Sequence, residues 1–293
     1  MLPRSVLGRL LHPLIAERRT LAGILAWIGL GITIGFILIA ILAPIIAPIG
    51  QIAAFTYPVN QPPSPQHLMG TDSAGRDVLS RAVWGARTSL EIMAIGVIIA
   101  LSVGFPIGLV SGYLGGWIDR IMVLIMDSVY AFPGLLLAAI IAAFIGKGVF
   151  NIGVAITVIY VPLYFRVTRN QTLSVKEEPY VEAARSLGAK PSTIMLRYIA
   201  YSVVIAIPAI FSLSAADAIL TAAGLSYLGL GLEISTPGDW GRDLADAQSF
   251  LGDGIWWTSL FPGLMIILLT VGLSFLGEGL NDMINPLLKK ERA

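Results

Sequence analysis

Residues equipped for chemistry are scarce in this 293-residue chain, and their spacing excludes most of it. There is no cysteine, which removes thiol nucleophiles, disulfides and Cys-ligated zinc. The two histidines, His12 and His67, fall on opposite faces of a membrane by the charge pattern described below, so no His-based metal site or catalytic triad is available within one chain. A phosphate-cradling G-x-x-x-x-G-K-[ST] loop is missing as well. Its nearest text, Gly188-Ala189-Lys190-Pro191-Ser192-Thr193, has the wrong spacing, so the chain does not hydrolyse ATP alone. What remains is two acids inside apolar runs, Asp127 and Asp217, and three polar clusters between such runs. Ionised carboxylates in lipid are costly, so each acid must face the interior of a helix bundle or an aqueous path. Asp217 either serves such a path or caps neighbours such as Ser212, Ser214 and Thr221.

The elements that must position these residues are transmembrane helices. The chain is 56% hydrophobic and 13% charged, against about 25% charged in soluble domains, which rules out a single soluble globule. The net charge of +1 excludes a strongly basic nucleic-acid binder. Apolar runs predict six spans, Leu21 to Ile49, Ile92 to Tyr113, Ile121 to Ile145, Val149 to Phe165, Ile199 to Leu220 and Ile255 to Leu276. The fourth run is short and carries Pro162 near one end. These runs stay apolar throughout, unlike the alternating strands of a β-barrel. With the N-terminus inside, 14 of the 19 basic residues fall in the cytoplasm, which predicts an N-in, C-in, all-α polytopic protein. The first run follows Arg18 and Arg19 but is longer than a cleavable h-region of about 7–15 residues, so it reads as an uncleaved anchor.

The first polar cluster lies in the outer loop Gln51 to Arg87. Its prolines, Pro58, Pro62, Pro63 and Pro65, forbid a continuing helix, and Val78 to Leu90 reads as a short helix with Asp77 at its N-terminal end. Asp72, Arg76, Asp77 and Arg81 either satisfy one another as an ion-paired lid or contact substrate. The second cluster, Glu233 to Gly254, holds five acids against Arg242; it either meets a basic patch on a docking partner or is a solvated face. Trp256 and Trp257 read as interfacial anchors of the last helix. The third, Arg166 to Arg197, carries six basic and three acidic residues. Within it Pro179 suits a first helical turn, Val181, Ala184 and Leu187 share a face, and Gly188 ends the helix. A second short helix starts near Lys190-Pro191-Ser192. Together they make a knob outside the membrane or, alternatively, a helix lying on the headgroups. Gly104, Gly108 and Gly112 line one face of the second span, a spacing that permits close helix contact, and Pro106 and Pro208 are candidate kinks.

Several of these motifs together resemble one family, the inner-membrane permease subunits of ATP-binding-cassette importers of the dipeptide, oligopeptide and nickel class, specifically the dipeptide-permease C type. Glu182-Ala183-Ala184 followed by Gly188 is similar to the family's EAA loop. His67, Gly70-Thr71-Asp72, Gly75-Arg76-Asp77 and Ser80-Arg81 resemble its extracytoplasmic signature. Ala131-Phe132-Pro133, Leu225 to Gly231, Pro237 with Trp240-Gly241, and Gly277-Glu278-Gly279-Leu280 to Asn285-Pro286 agree with it too. The chain departs from the family's pattern at Tyr198-Ile199-Ala200-Tyr201, where His-Ile-Leu-Pro is usual, and at Leu68, Ala222 and Asn281.

The resemblance implies an N-terminal region over 1–87, an ABC type 1 transmembrane domain over 88–282 and a cytoplasmic tail over 283–293. It implies a multi-pass inner-membrane subunit that forms half of a translocation path, with Glu182, Ala183, Ala184 and Gly188 docking an ATPase. The expected partners are a second homologous permease, two ATP-binding subunits that hold ATP and Mg, and an extracytoplasmic substrate-binding protein, with no cofactor, metal or catalytic residue in this chain. Asp217 then has a peptide ammonium as a candidate contact. The competing class is an autonomous proton-coupled secondary transporter using Asp217 or Asp127. Such carriers are often built from inverted repeats, and no internal repeat is visible.

Overall fold

Small residues decide how the helices of this chain meet. The computed structural model describes residues 20–47, 53–233 and 236–284; His12, the N-terminal cations, Asn285-Pro286 and the rest of the tail lie outside them. Helix α1 (Leu21–Ile46) opens on Thr20, whose hydroxyl accepts the Gly23 N–H at 3.1 Å. It buries a stripe of Ala22, Ala26, Gly29, Thr33, Phe36, Ala40 and Ala43, and leaves Ile24, Ile28, Ile34 and Ile41 exposed. The buried stripe packs on α11 (Trp257–Ile284) so closely that a Cβ added at Gly29 meets the Gly272 carbonyl at 2.4 Å. Between helices in lipid such backbone approach replaces the missing hydrophobic drive.

Helix α2 (Val78–Leu114) is the longest element at 37 residues, or about 55 Å at 1.5 Å per residue. It fuses the expected short helix Val78 to Leu90 with the second span, because nothing between them breaks helical pairing. Its partner is α5 (Val149–Val175). A Cβ at Gly104, Gly108 or Gly112 meets Val161 O, Phe165 O or Arg169 O at 2.7, 2.5 and 2.9 Å, so the expected glycine face is a packing seam. The fourth run is thus part of a full 27-residue helix that contains Pro162 rather than a short span.

The third expected span is not one helix. Gly116–Tyr130 (α3) and Gly134–Ile145 (α4) meet at an 85° bend. Phe132-Pro133 sits at the corner, where proline disfavours helix in the residue before it. Among the described residues five helices are long and apolar enough to cross a membrane, and the bent pair makes the sixth where it counts as one span. The pair is peripheral, with no buried residue in α3. The fifth expected span is divided as well. Pro191–Thr193 (α7) runs into a π-helical turn at Ile194–Ile199 and then Ala200–Val204 (α8), and after a break at Ile205 and Ala206 comes Ile207–Tyr227 (α9). Pro208 begins α9 rather than kinking a span, as its fixed φ suits a first turn. One apolar core of Val97, Ile152, Ile156, Ala215, Ile219 and Leu269 joins α2, α5, α9 and α11.

Candidate functional site

At the N-terminal end of α2, a loop with no strand longer than a bridge pair is made rigid by its polar residues. Asp77 caps α2: its Oδ2 accepts Ser80 N–H at 2.8 Å and the Ser80 hydroxyl at 2.7 Å, and its Oδ1 lies 3.0 Å from His67 Nδ1. Asp72 accepts the Ala74 and Arg76 N–H groups at 2.9 Å each and Arg76 Nε at 2.6 Å. The Thr71 hydroxyl donates to Pro58 O at 2.7 Å and accepts from Gln61 N–H at 2.8 Å. Gly70 and Gly75 turn at φ +77° and +65°, and a Cβ on Gly75 meets Tyr57 O at 2.2 Å. All seven residues singled out in the loop, His67, Gly70, Thr71, Asp72, Gly75, Arg76 and Asp77, therefore come together in one knot.

The knot reaches across the chain in a way that local reading misses. Arg81 donates from Nε at 2.8 Å and from Nη2 to Asp243 Oδ1, and from Nη1 to Pro237 O at 3.3 Å. Arg76 Nη2 lies 3.6 Å from Asp246. Three acids of the second polar cluster, Asp239, Asp243 and Asp246, are thus engaged within the chain, while Glu233 and Asp253 are exposed. Asp239 caps α10 (Trp240–Gln248), Asp243 is buried on Arg81, and Asp246 faces Arg76 and Arg242. Burial pushes the Asp243 carboxyl up from the usual carboxylate range, against the pull of the Arg81 guanidinium. Trp240 Nε1 donates to Ala82 O at 3.0 Å, with its ring over Gly85. Trp257 is 7% exposed and donates to Thr71 O at 3.0 Å, so it is a tertiary staple rather than an interfacial anchor; Trp256 beside it is half exposed. The paired signals in sequence were Trp240 and Trp257, each flanking a polar stretch.

At the other end of α2 sits the knob. Helix α6 (Pro179–Ser186) buries Val181 and Ala184, with Val181 packed against Leu109, Ile194, Ile199 and Val203. It ends in a Schellman turn: Ala189 N–H bonds Ala184 O at 3.1 Å, Gly188 N–H bonds Arg185 O at 3.0 Å, and Gly188 takes φ +79°. Leu187 does not share the buried face. The helix stops at Ser186, and Leu187 turns outward, 88% exposed. Glu182, Ala183 and Gly188 are exposed too, and no ion pair holds Glu182 among the described residues.

The two acids within apolar runs differ in their surroundings. Asp127 has the cationic partner that its own helix lacks: Arg166 Nη2 on α5 donates to it at 2.8 Å, and that guanidinium also lies 4.2 Å from the centre of the Tyr130 ring. Asp217 accepts the Tyr160 hydroxyl at 2.6 Å and is exposed on α9 into a recess at the corner of α3 and α4. It does not cap Ser214, whose partners are Tyr164 and Phe211 O. Among the described residues no group of three or more His, Asp or Glu side chains is placed to hold a metal ion.

The sequence is matched by known proteins. The model of the binding-protein-dependent transport system inner membrane component family matches residues 104–290. The dipeptide transport system permease protein of Alkalihalophilus pseudofirmus is 40% identical over 267 residues, covering 90% of this chain and 86% of that protein. The glutathione transport system permease protein of Pectobacterium atrosepticum is 40% identical over 231 residues, covering 79% and 76%. That of Escherichia coli strain 536 is 39% identical over 254 residues, covering 86% and 83%. By this match and its apolar membrane-crossing helices, the chain belongs to the binding-protein-dependent transport system inner membrane components, as a multi-pass permease subunit of an ATP-binding-cassette importer.

Proposed function

We propose that this permease forms half of a path for dipeptides, oligopeptides or nickel chelates, and that Glu182 to Gly188 is where ATP-driven motion enters it. The observation that carries the reading is the knob: Glu182 and Ala183 on α6, and Leu187 and Gly188 in the turn that ends it, are exposed, while the other face of α6 is buried on α2 and on the turn leading into α8 and α9. A push on such a packed unit moves its neighbours as one body, because close-packed interiors transmit displacement rather than absorb it. Two partner ATPases, holding ATP and Mg, press on the knob, and α5, α8 and α9 tilt to switch access. The path itself lies between this chain and a second, homologous permease, and an extracytoplasmic binding protein delivers substrate near the loop knot. Both termini lie in the cytoplasm, residues 1–87 are an addition to the transporting domain at 88–282, and 283–293 form the tail.

Two variants of the assembled complex test the coupling role. Ala183→Arg alters an exposed position and leaves the buried face of α6 intact, so it is expected to abolish ATPase co-purification and uptake while the chain inserts normally. Gly188→Pro, at φ +79° where proline cannot sit, is expected to do the same. Uptake at the wild-type rate by both variants, at equal membrane levels, overturns the coupling role. Transport by the solubilised chain alone in liposomes supports the secondary carrier instead.

A further inference from the structure

We propose that Asp217 and the recess in front of it form a transient site for the ammonium group of a peptide N-terminus; the proposal rests on the peptide-importer reading above. The recess has a volume of about 370 Å³ and is lined by Tyr130, Phe132, Leu137, Tyr160, Leu163 and Asp217 among others, with no basic residue in its wall. Asp217 receives one hydrogen bond there, from the Tyr160 hydroxyl to Oδ2 at 2.6 Å, which orients the carboxylate and leaves Oδ1 free of any protein donor among the described residues. The one guanidinium near the corner, Arg166, is taken by Asp127 and the Tyr130 ring. A carboxylate at membrane depth without a counter-charge is costly, so the site is built to be completed by a cation that arrives from outside the chain. Phe132 and Tyr160 supply the aromatic faces and edges that favour an alkylammonium over an anion. An ammonium brings three N–H donors, which matches an acceptor-only carboxylate beside a hydroxyl.

Location adds a second argument. Asp217 shares its exposed face of α9 with Leu213 and Leu220, whereas Ala215, Ala216, Ala218 and Ile219 are buried in the core. The carboxylate therefore sits at the edge of the bundle rather than in its core, held by Tyr160 of α5, and the recess lies at the 85° corner between α3 and α4. A weak site of this kind lets a substrate pause and leave, as conduction requires.

The absence of native cysteine supplies the assay. In the assembled complex, Leu137→Cys places a thiol on the wall of the recess, and modification is followed by the intact mass of this chain. A positively charged ethylammonium methanethiosulfonate is expected to react at least about tenfold faster than the negatively charged ethylsulfonate analogue, as one nearby carboxylate dictates. Asp217→Asn in the same background removes the preference. Dialanine at millimolar concentration slows modification, and N-acetyl-dialanine does not. No charge preference, equal protection by both peptides, or no reaction with either reagent overturns the proposal. Leu163→Cys repeats the measurement from the opposite wall should Leu137→Cys not assemble. ATP hydrolysis stimulated by the substrate-loaded binding protein is recorded on the wild-type complex; its failure counts against the importer reading and leaves the charge preference standing as a separate result.

Discussion

Truncating Arg81 to methionine leaves Asp243 buried without its hydrogen-bonded partner, and the cost of breaking a buried ion pair from one side is about 3–5 kcal/mol. Arg81 is 3% exposed and Asp243 8%, so solvent does little to soften the loss. Arg81→Met is expected to lower the thermal midpoint of the purified protein markedly, and Arg81→Met with Asp243→Leu to restore most of it, because two apolar side chains of similar volume need no pairing. Equal destabilisation by the single and double variants refutes the pairing as the cause. Two glycines, Gly75 in the knot and Gly229 just past the end of α9, separate strain from crowding. Gly75→Ala meets both a positive φ and Tyr57 O at 2.2 Å and is expected to cost about 1–3 kcal/mol. Gly229→Ala has φ +79° with nothing within 4 Å, and only the left-handed backbone cost of about 1–2 kcal/mol applies. Thermal unfolding of the two variants side by side checks the order.

Among the elements, α2 and α5 stand apart from α3 and α4. Their glycine seam has no room for a side chain, so Gly108→Leu is expected to push α5 away and destabilise at the upper end of the roughly 1–3 kcal/mol typical of overpacking. Leu136→Ala on α4, at a side chain 60% exposed, is expected to leave the stability of the solubilised subunit unchanged. The yield of monodisperse protein on size exclusion reads both. Sequence reading recovers what is encoded locally: the apolar runs, the glycine seam, Asp77 as a helix cap and Gly188 as a helix stop each depend on neighbours within a turn. It loses what is decided elsewhere. Hydropathy averages through the Phe132-Pro133 corner because both flanks are equally apolar. Leu187 obeys the period of α6 but falls just past its end. Trp257 and Asp243 owe their roles to Thr71 and Arg81, more than 160 positions away, and no local pattern carries that information.

For the whole molecule, the ion-paired knot and the knob occupy opposite ends of α2, separated by about 45 Å along its axis at 1.5 Å per residue. A membrane between them puts each in a different compartment. Leu68→Cys and Leu187→Cys, both at side chains well exposed to solvent, are expected to be labelled by a membrane-impermeant maleimide from opposite sides: Leu68→Cys in intact cells, Leu187→Cys only in inverted vesicles. Labelling of both from one side refutes the N-in, C-in arrangement.

The staples that hold the knot set a timetable for making the protein. Thr71 waits for Trp257 and Arg81 waits for Asp243, across 186 and 162 residues. At about 5–20 residues per second, that is roughly 10–40 s during which the first loop has left the ribosome and still lacks its partners. Through that interval the loop is a protease substrate in which Arg81 lacks its Asp243 partner. A chain released early, before Trp257 is translated, never leaves that state, so quality control has a built-in mark by which to recognise unfinished copies.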